Sequence, residues 1–150
     1  MADLQGLYQE AILDHYRKPR NFHKLEHSNR QADGYNPLCG DKLGIYLLIE
    51  NGTIQDIGFA GSGCAISIAS ASMMTESLKG KTEAEAKTLY DNFILLMTHH
   101  SIAPSYPDDM GKLAVLSSVR DYPVRVKCAT LAWHTLRAAL ESKQETVSTE

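Results

Sequence analysis

The chain is predicted to fold as a single α+β domain, and three observations carry that prediction. One strong hairpin signal, Asn51-Gly52, joins two strand-like runs. Segments with helical periodicity lie on both sides of it. No repeat or linker divides residues 1–150. A chain of 150 residues is long enough to bury roughly 70% of its unfolded surface, so neither disulfide nor metal is needed merely to make it fold. The net charge is −3 with no long basic run, which excludes a general nucleic-acid surface. No apolar run approaches the ~20 residues of a membrane span, and Asp3 and Glu10 stand where a signal peptide would be apolar. We therefore expect a cytoplasmic protein.

Asp3 is placed to cap a first helix in which Leu4, Leu7, Tyr8, Ala11, Ile12 and Tyr16 recur at three- and four-residue spacing, ending at Pro19. The basic cluster Arg17-Lys18-Pro19-Arg20-Asn21 reads equally as a contact for an acidic partner or as a solvated helix end. Residues 23–38 are polar and turn-rich and are predicted to be loop. The stretches Leu43–Glu50 and Thr53–Ala60 are the two strands of the hairpin. Ala65–Met74 reads as a helix of small and apolar residues. After Gly80-Lys81, Thr82 and Glu85 form a capping box for a helix that buries Ala86, Leu89, Tyr90, Phe93 and Leu96 or Met97. His99 and His100 are expected at the surface or at a cap. Pro104–Asp109 is loop, Met110–Ser118 a short helix, and the polar tail from Ser142 is frayed. Val124–Lys127 leads into a terminal helix carrying Ala129, Leu131, Ala132, Leu136, Ala139 and Leu140.

Three cysteines, an odd number, argue against a disulfide framework in a reducing compartment. Inert burial is the ordinary fate of a free thiol. Here, however, Cys39 and Asp41 share an Asn-Pro-Gly turn, while Cys64 and Cys128 are each expected at a helix start. Antiparallel pairing of the hairpin brings its open ends together, so Cys39, Asp41 and Cys64 should be neighbours. Cys64 can also be read as a buried thiol behind the glycine-rich turn Gly61-Ser62-Gly63.

If Cys128 joins them, three thiols and a carboxylate make the four ligands that a zinc ion takes. Such a site carries about −2 by formal count and calls for nearby cations. Arg125 and Lys127 could lend electrostatic support, or they could lie on a solvated strand edge. The chain lacks the C-x-x-C pairs usual in structural zinc sites, and Asp is a harder ligand than thiolate. The pattern suits an exchangeable site, with Cys39 as the reactive thiolate because its turn is flexible. A cysteine hydrolase would need His15, His23, His27 or His134 beside the thiol, and no motif places one there.

Asn36-Pro37-Leu38-Cys39-Gly40-Asp41, Gly61-Ser62-Gly63-Cys64-Ala65-Ile66-Ser67 and Arg125-Val126-Lys127-Cys128 together resemble the iron–sulfur cluster assembly family that includes IscU and the N-terminal part of NifU. They are closest to its SufU branch. Asp14–Asn21 is similar to the first helix of that branch. Lys127, where the scaffold type has histidine, and the longer segment between Cys64 and Cys128 both point the same way. One departure is Phe22-His23, where a glycine is expected soon after Asn21.

The resemblance implies a compact fold, a small antiparallel β-sheet with helices packed on one face. It implies Zn2+ held by Cys39, Asp41, Cys64 and Cys128. It further implies that a pyridoxal-phosphate (PLP) cysteine desulfurase, SufS-like, passes persulfide sulfur to Cys39 while a histidine of that partner takes the place of Cys39 on zinc. The sulfur then goes to the downstream Fe–S assembly machinery. Two alternatives share the same residues, a scaffold on which an iron–sulfur cluster is assembled and a non-catalytic zinc-stabilised adaptor.

Overall fold

A computed structural model of the chain describes residues 4–98, 108–141 and 147–148. Helix α1, Leu4–Arg17, is followed by strands β1 (Arg30–Asn36), β2 (Asp41–Glu50) and β3 (Thr53–Ser62). Helices α2 (Ala65–Leu78) and α3 (Glu83–Thr98), a 3₁₀ helix (Asp108–Val119), helix α4 (Pro123–Leu140) and a two-residue strand β4 (Val147–Ser148) complete the order. The expected roles of Asp3, His99, His100 and most of the Pro104–Asp109 loop lie outside the described residues.

The sheet has the order β3-β2-β1-β4. β1, β2 and β3 are antiparallel, and β4 adds a parallel edge along Gly34 and Tyr35. The hairpin forms as predicted, with both turn residues at positive φ, Asn51 at 53° and Gly52 at 75°, as a tight turn that matches strand twist requires. Two corrections concern strands. Residues 30–36, read as loop, form β1, and the tail contributes β4. β1 escaped notice because its inward positions are Ala32, Gly34 and Asn36, too small or too polar to show apolar alternation. Gly34 must be small, because an added Cβ would collide with Thr135 of α4.

On β2, Leu43, Ile45, Leu47 and Ile49 point into the core while Lys42 and Glu50 on the opposite set stay exposed. Against this face lie α2 and α4. Small residues on α2 allow close approach, and Ser67 through Thr75 are all buried. Behind them Trp133 is fully buried and stacks on Phe93, with centroids 4.3 Å apart and planes at 13°. Removing such a ring from a core costs about 3–5 kcal/mol. The Trp133 indole N–H donates to Ser70 Oγ at 3.1 Å, and the Ser70 hydroxyl donates to the Ala129 carbonyl at 2.6 Å. This chain ties α2 to α4 beside the residues that follow Cys64 and Cys128.

The capping box is present in both directions: Glu85 N–H donates to Thr82 Oγ1 at 3.1 Å and Thr82 N–H to Glu85 Oε1 at 3.0 Å. Thr82→Ala is expected to cost about 1 kcal/mol, read as a lower denaturant midpoint with an unchanged slope. On α3, Ala86, Leu89, Tyr90 and Phe93 are buried as predicted, and Leu96 and Met97, given as alternatives, are both buried. On α1, Ile12 is buried but Tyr16 is 45% exposed, against expectation. The face turned inward carries His15 instead, whose Nδ1 lies 2.7 Å from Ser72 Oγ. Just before Phe22-His23, where the family likeness called for a glycine, Asn21 takes φ 60° and its carbonyl accepts the N–H groups of His23 and Phe59, each at 3.0 Å. Asn tolerates that left-handed conformation better than most residues, so the turn forms without the glycine.

Candidate metal centre

Strand pairing assembles the centre. Asn36 pairs with Asp41 across β1 and β2, which confines Pro37–Gly40 to a tight four-residue loop. Gly40, at φ 73°, permits the reversal, and its N–H donates to the Asn36 carbonyl at 2.8 Å. Cys39 projects from this loop and is exposed. On the other side of β2, Lys42 pairs with Ser62, so the chain leaving β3 returns beside Asp41. Gly63 must lack a side chain, because a Cβ there would lie 2.8 Å from Asp41 Oδ1. Cys64 caps α2 as predicted, half-buried, and its backbone N–H donates to Asp41 Oδ1 at 2.8 Å. The carboxylate thereby sits against the positive end of the α2 dipole.

Cys128 arrives differently from the expectation. Helix α4 begins at Pro123, a residue suited to the first turn, so Cys128 lies in the second turn and is only 2% exposed. Val124–Lys127 is helical too, and the strand-edge reading of Arg125 and Lys127 is withdrawn. The signal was present in the sequence as Tyr122-Pro123, since proline is favoured at N1. Reading Pro123 as a turn residue placed the helix several residues too late.

One ligand atom from each of Cys39, Asp41 and Cys128 lies within 4.8 Å of the other two. The Cys128 thiol points at Cys39 Sγ across 3.3 Å, and the Cys64 thiol points at Asp41 Oδ2 across 3.9 Å. Two thiolates on one tetrahedral zinc stand about 3.8 Å apart, so only a small adjustment separates the sulfur pair from that geometry. Asp41 is fully buried and makes no ion pair among the described residues. A buried carboxylate without a cation is costly, and a metal ion would supply the missing charge. Ser67, one turn beyond Cys64 on α2, is buried with its hydroxyl unpartnered among the described residues. Burial first, then the Cys39 and Cys64 thiols and the Asp41 charge, push the Cys128 thiol upward, so its thiolate also calls for a cation. The donor set fits a thiophilic metal.

Arg125 is exposed and stacks its guanidinium over the Tyr122 ring, 4.8 Å from the centroid, and Lys127 is half-buried. Neither forms an ion pair with Asp41 among the described residues. Of the histidines that a hydrolase would need, His15 is engaged with Ser72, His23 with the Lys24 carbonyl and His134 with Tyr90, and His27 is exposed in the segment before β1. One residue in contact with the candidate ligands is absent from the site residues that the sequence predicts. Asn36 is fully buried and donates from Nδ2 to Asp41 Oδ2 at 3.3 Å and to Cys128 Sγ at 3.5 Å. In the sequence it stands as the first residue of the Asn-Pro-Gly turn, with no signal for its contacts because the strand it closes lacks apolar alternation.

Fold and site thus define a small α+β protein with a cluster of thiols and a carboxylate suited to a metal ion, one thiol open to solvent. The chain belongs to the family of NifU-like N terminal domains, whose pattern matches residues 7–129. It is similar to a zinc-dependent sulfurtransferase SufU of Bacillus subtilis, 37% identical over 95% of both chains. It is also similar to an iron–sulfur cluster assembly scaffold protein IscU of Streptococcus pyogenes, 35% identical over 94% of this chain and 87% of that one. Among solved structures it resembles a SufU described as a putative iron–sulfur cluster assembly scaffold protein for the SUF system, from Fervidobacterium islandicum. That likeness has a TM-score of 0.81 at 35% identity and covers 87% of this chain and 94% of the other. Among the described residues, no helix is long and apolar enough to cross a membrane.

Proposed function

We propose that this chain is a zinc-dependent sulfur-transfer protein of iron–sulfur cluster assembly, taking persulfide sulfur onto Cys39 from a cysteine desulfurase. The observation that supports it is the asymmetry of the centre. Asp41 and Cys128 are buried and Cys64 is half-buried, whereas Cys39 is exposed on a loop. A staple would bury all four. Here one sulfur can leave and meet another protein while three ligands stay rooted in β2, α2 and α4.

Zinc, held by Cys39, Asp41, Cys64 and Cys128, supplies a positive charge that keeps the sulfurs deprotonated at neutral pH. Cys39 Sγ then attacks the outer sulfur of the donor's persulfide. A new S–S bond forms at Cys39 as the donor's S–S bond breaks, and the electron pair leaves on the donor cysteine, which takes up the proton of the transferred outer sulfur. There is no net oxidation. Leu38, next to Cys39, and Tyr122 and Val124, in the approach to Cys128, are exposed apolar side chains suited to docking that donor. Arg125 and Lys127 add positive field near the anionic centre. Arg125→Ala is therefore expected to weaken zinc binding and slow transfer, and normal values for both would remove that role.

The scaffold reading is supported by the name of the Streptococcus relative and by the same thiols, which also suit an iron–sulfur cluster. Metal analysis of protein purified without air separates the two. Stoichiometric zinc without iron is expected, and bound iron with sulfide would favour the scaffold. After incubation with a cysteine desulfurase and cysteine, mass mapping is expected to find the added sulfur on Cys39. Sulfur only on Cys64 or Cys128 would overturn the assignment of Cys39, and no transfer at all would leave the adaptor.

A further inference from the structure

Asn36 joins the fixed and the movable halves of the centre. It closes β1 opposite Asp41 and is fully buried. Both ends of its side-chain amide are in use. Nδ2 faces the buried ligands, at 3.3 Å from Asp41 Oδ2 and 3.5 Å from Cys128 Sγ. Oδ1 faces the loop and accepts the Leu38 N–H at 3.2 Å, while the Asn36 backbone carbonyl accepts the Gly40 N–H at 2.8 Å. The partners fix which way the amide points, since Leu38 N–H needs an acceptor and the carboxylate needs a donor.

We propose that Asn36 is a positioning residue that keeps Asp41 and Cys128 together as metal ligands while Cys39 is away from the metal. This rests on reading the cluster as a metal centre. When Cys39 departs, the buried carboxylate and the deprotonated Cys128 still repel each other at close range, and one metal–ligand bond fewer holds the centre together. An amide N–H₂ group directed at both offsets that repulsion from a point the departing loop does not remove. The side-chain Oδ1 and the backbone carbonyl of Asn36 meanwhile hold one each of the two N–H groups flanking Cys39, so that displacement is confined to the tip of the loop between Leu38 and Gly40.

The test is a double-mutant cycle on metal binding by the full chain. Affinities for Co2+ and Zn2+ are measured against a chromophoric chelator for the unmodified protein, Asn36→Ala, Cys39→Ser and the double variant, following the cobalt–thiolate absorption. Asn36→Ala is expected to weaken binding by about 10–100-fold, the usual cost of losing a partner of a metal ligand. That loss is expected to be at least as large in the Cys39→Ser background, where the remaining ligands depend on Asn36 most. The cobalt spectrum of the double variant should show fewer thiolate ligands than that of Cys39→Ser. Melting of the metal-free proteins reports folding, and Asn36→Leu, which keeps the volume without the donor, replaces Asn36→Ala if that variant does not fold. Unchanged affinity in a folded variant overturns the proposal. So does a loss that vanishes when Cys39 is already serine, because Asn36 would then act through the loop alone. An unmodified chain that binds neither metal would instead overturn the metal reading itself.

Discussion

Cys39→Ser is expected to abolish persulfide acceptance while leaving the metal-free protein as stable as before. The thiolate is the attacking group, and a serine hydroxyl at neutral pH is neither deprotonated nor able to hold sulfane sulfur through an S–S bond. Transfer should therefore fall to the level of a control without the chain. Stability should not follow, because Cys39 is exposed on a loop and buries no apolar surface in the core. Substitutions at such positions usually stay within about 0.5 kcal/mol. Paired measurements check this: persulfide mass analysis after desulfurase treatment, and thermal melting in the presence of a chelator. A variant that transfers sulfur normally would exclude Cys39 as the acceptor. One that fails to fold would show the loop to be structural, and the staple reading would gain.

The second large effect is on stability. Zinc bound only by the folded state raises its stability by about 4 kcal/mol when free metal exceeds the dissociation constant about a thousand-fold. For a chain of this size that shifts the melting temperature by roughly 8–16 °C. Asp41→Ala is expected to remove most of that rise, since it deletes a ligand and strips the partner from the Cys64 N–H and the Asn36 amide. Comparing each protein with and without zinc cancels whatever the substitution does to the metal-free state. That matters here, because removing a buried carboxylate can itself be stabilising. A melting temperature of the unmodified chain that zinc does not move would set aside the metal centre, and with it the role given to Asp41.

Much of the centre could be read from the chain because its parts are local. Asn51-Gly52 forces a hairpin, and a hairpin of matched strands returns its ends to one another, so the meeting of Asp41 with Cys64 follows from pairing arithmetic. Thr82 and Glu85 announce a helix start by mutual hydrogen bonding within four residues. The approach of Cys128 carries no such local signal. Nothing within α4 states that its second turn will lie against the β1–β2 loop. That depends on α4 crossing the sheet at Gly34, whose missing side chain makes room for Thr135.

β1 was the larger omission, and it hid Asn36. A strand whose inward residues are Ala32, Gly34 and Asn36 has almost no apolar moment, so it is held by its ladder to β2 and by the helix above it. The residue types, their order and their spacing around the three cysteines were fixed by the sequence alone, since these need only chain connectivity and turn chemistry. Tertiary packing decided which thiol is exposed, which is buried, and that an asparagine amide stands between Asp41 and Cys128. Burial and side-chain hydrogen bonding across 92 residues of separation arise only when distant segments are pressed together.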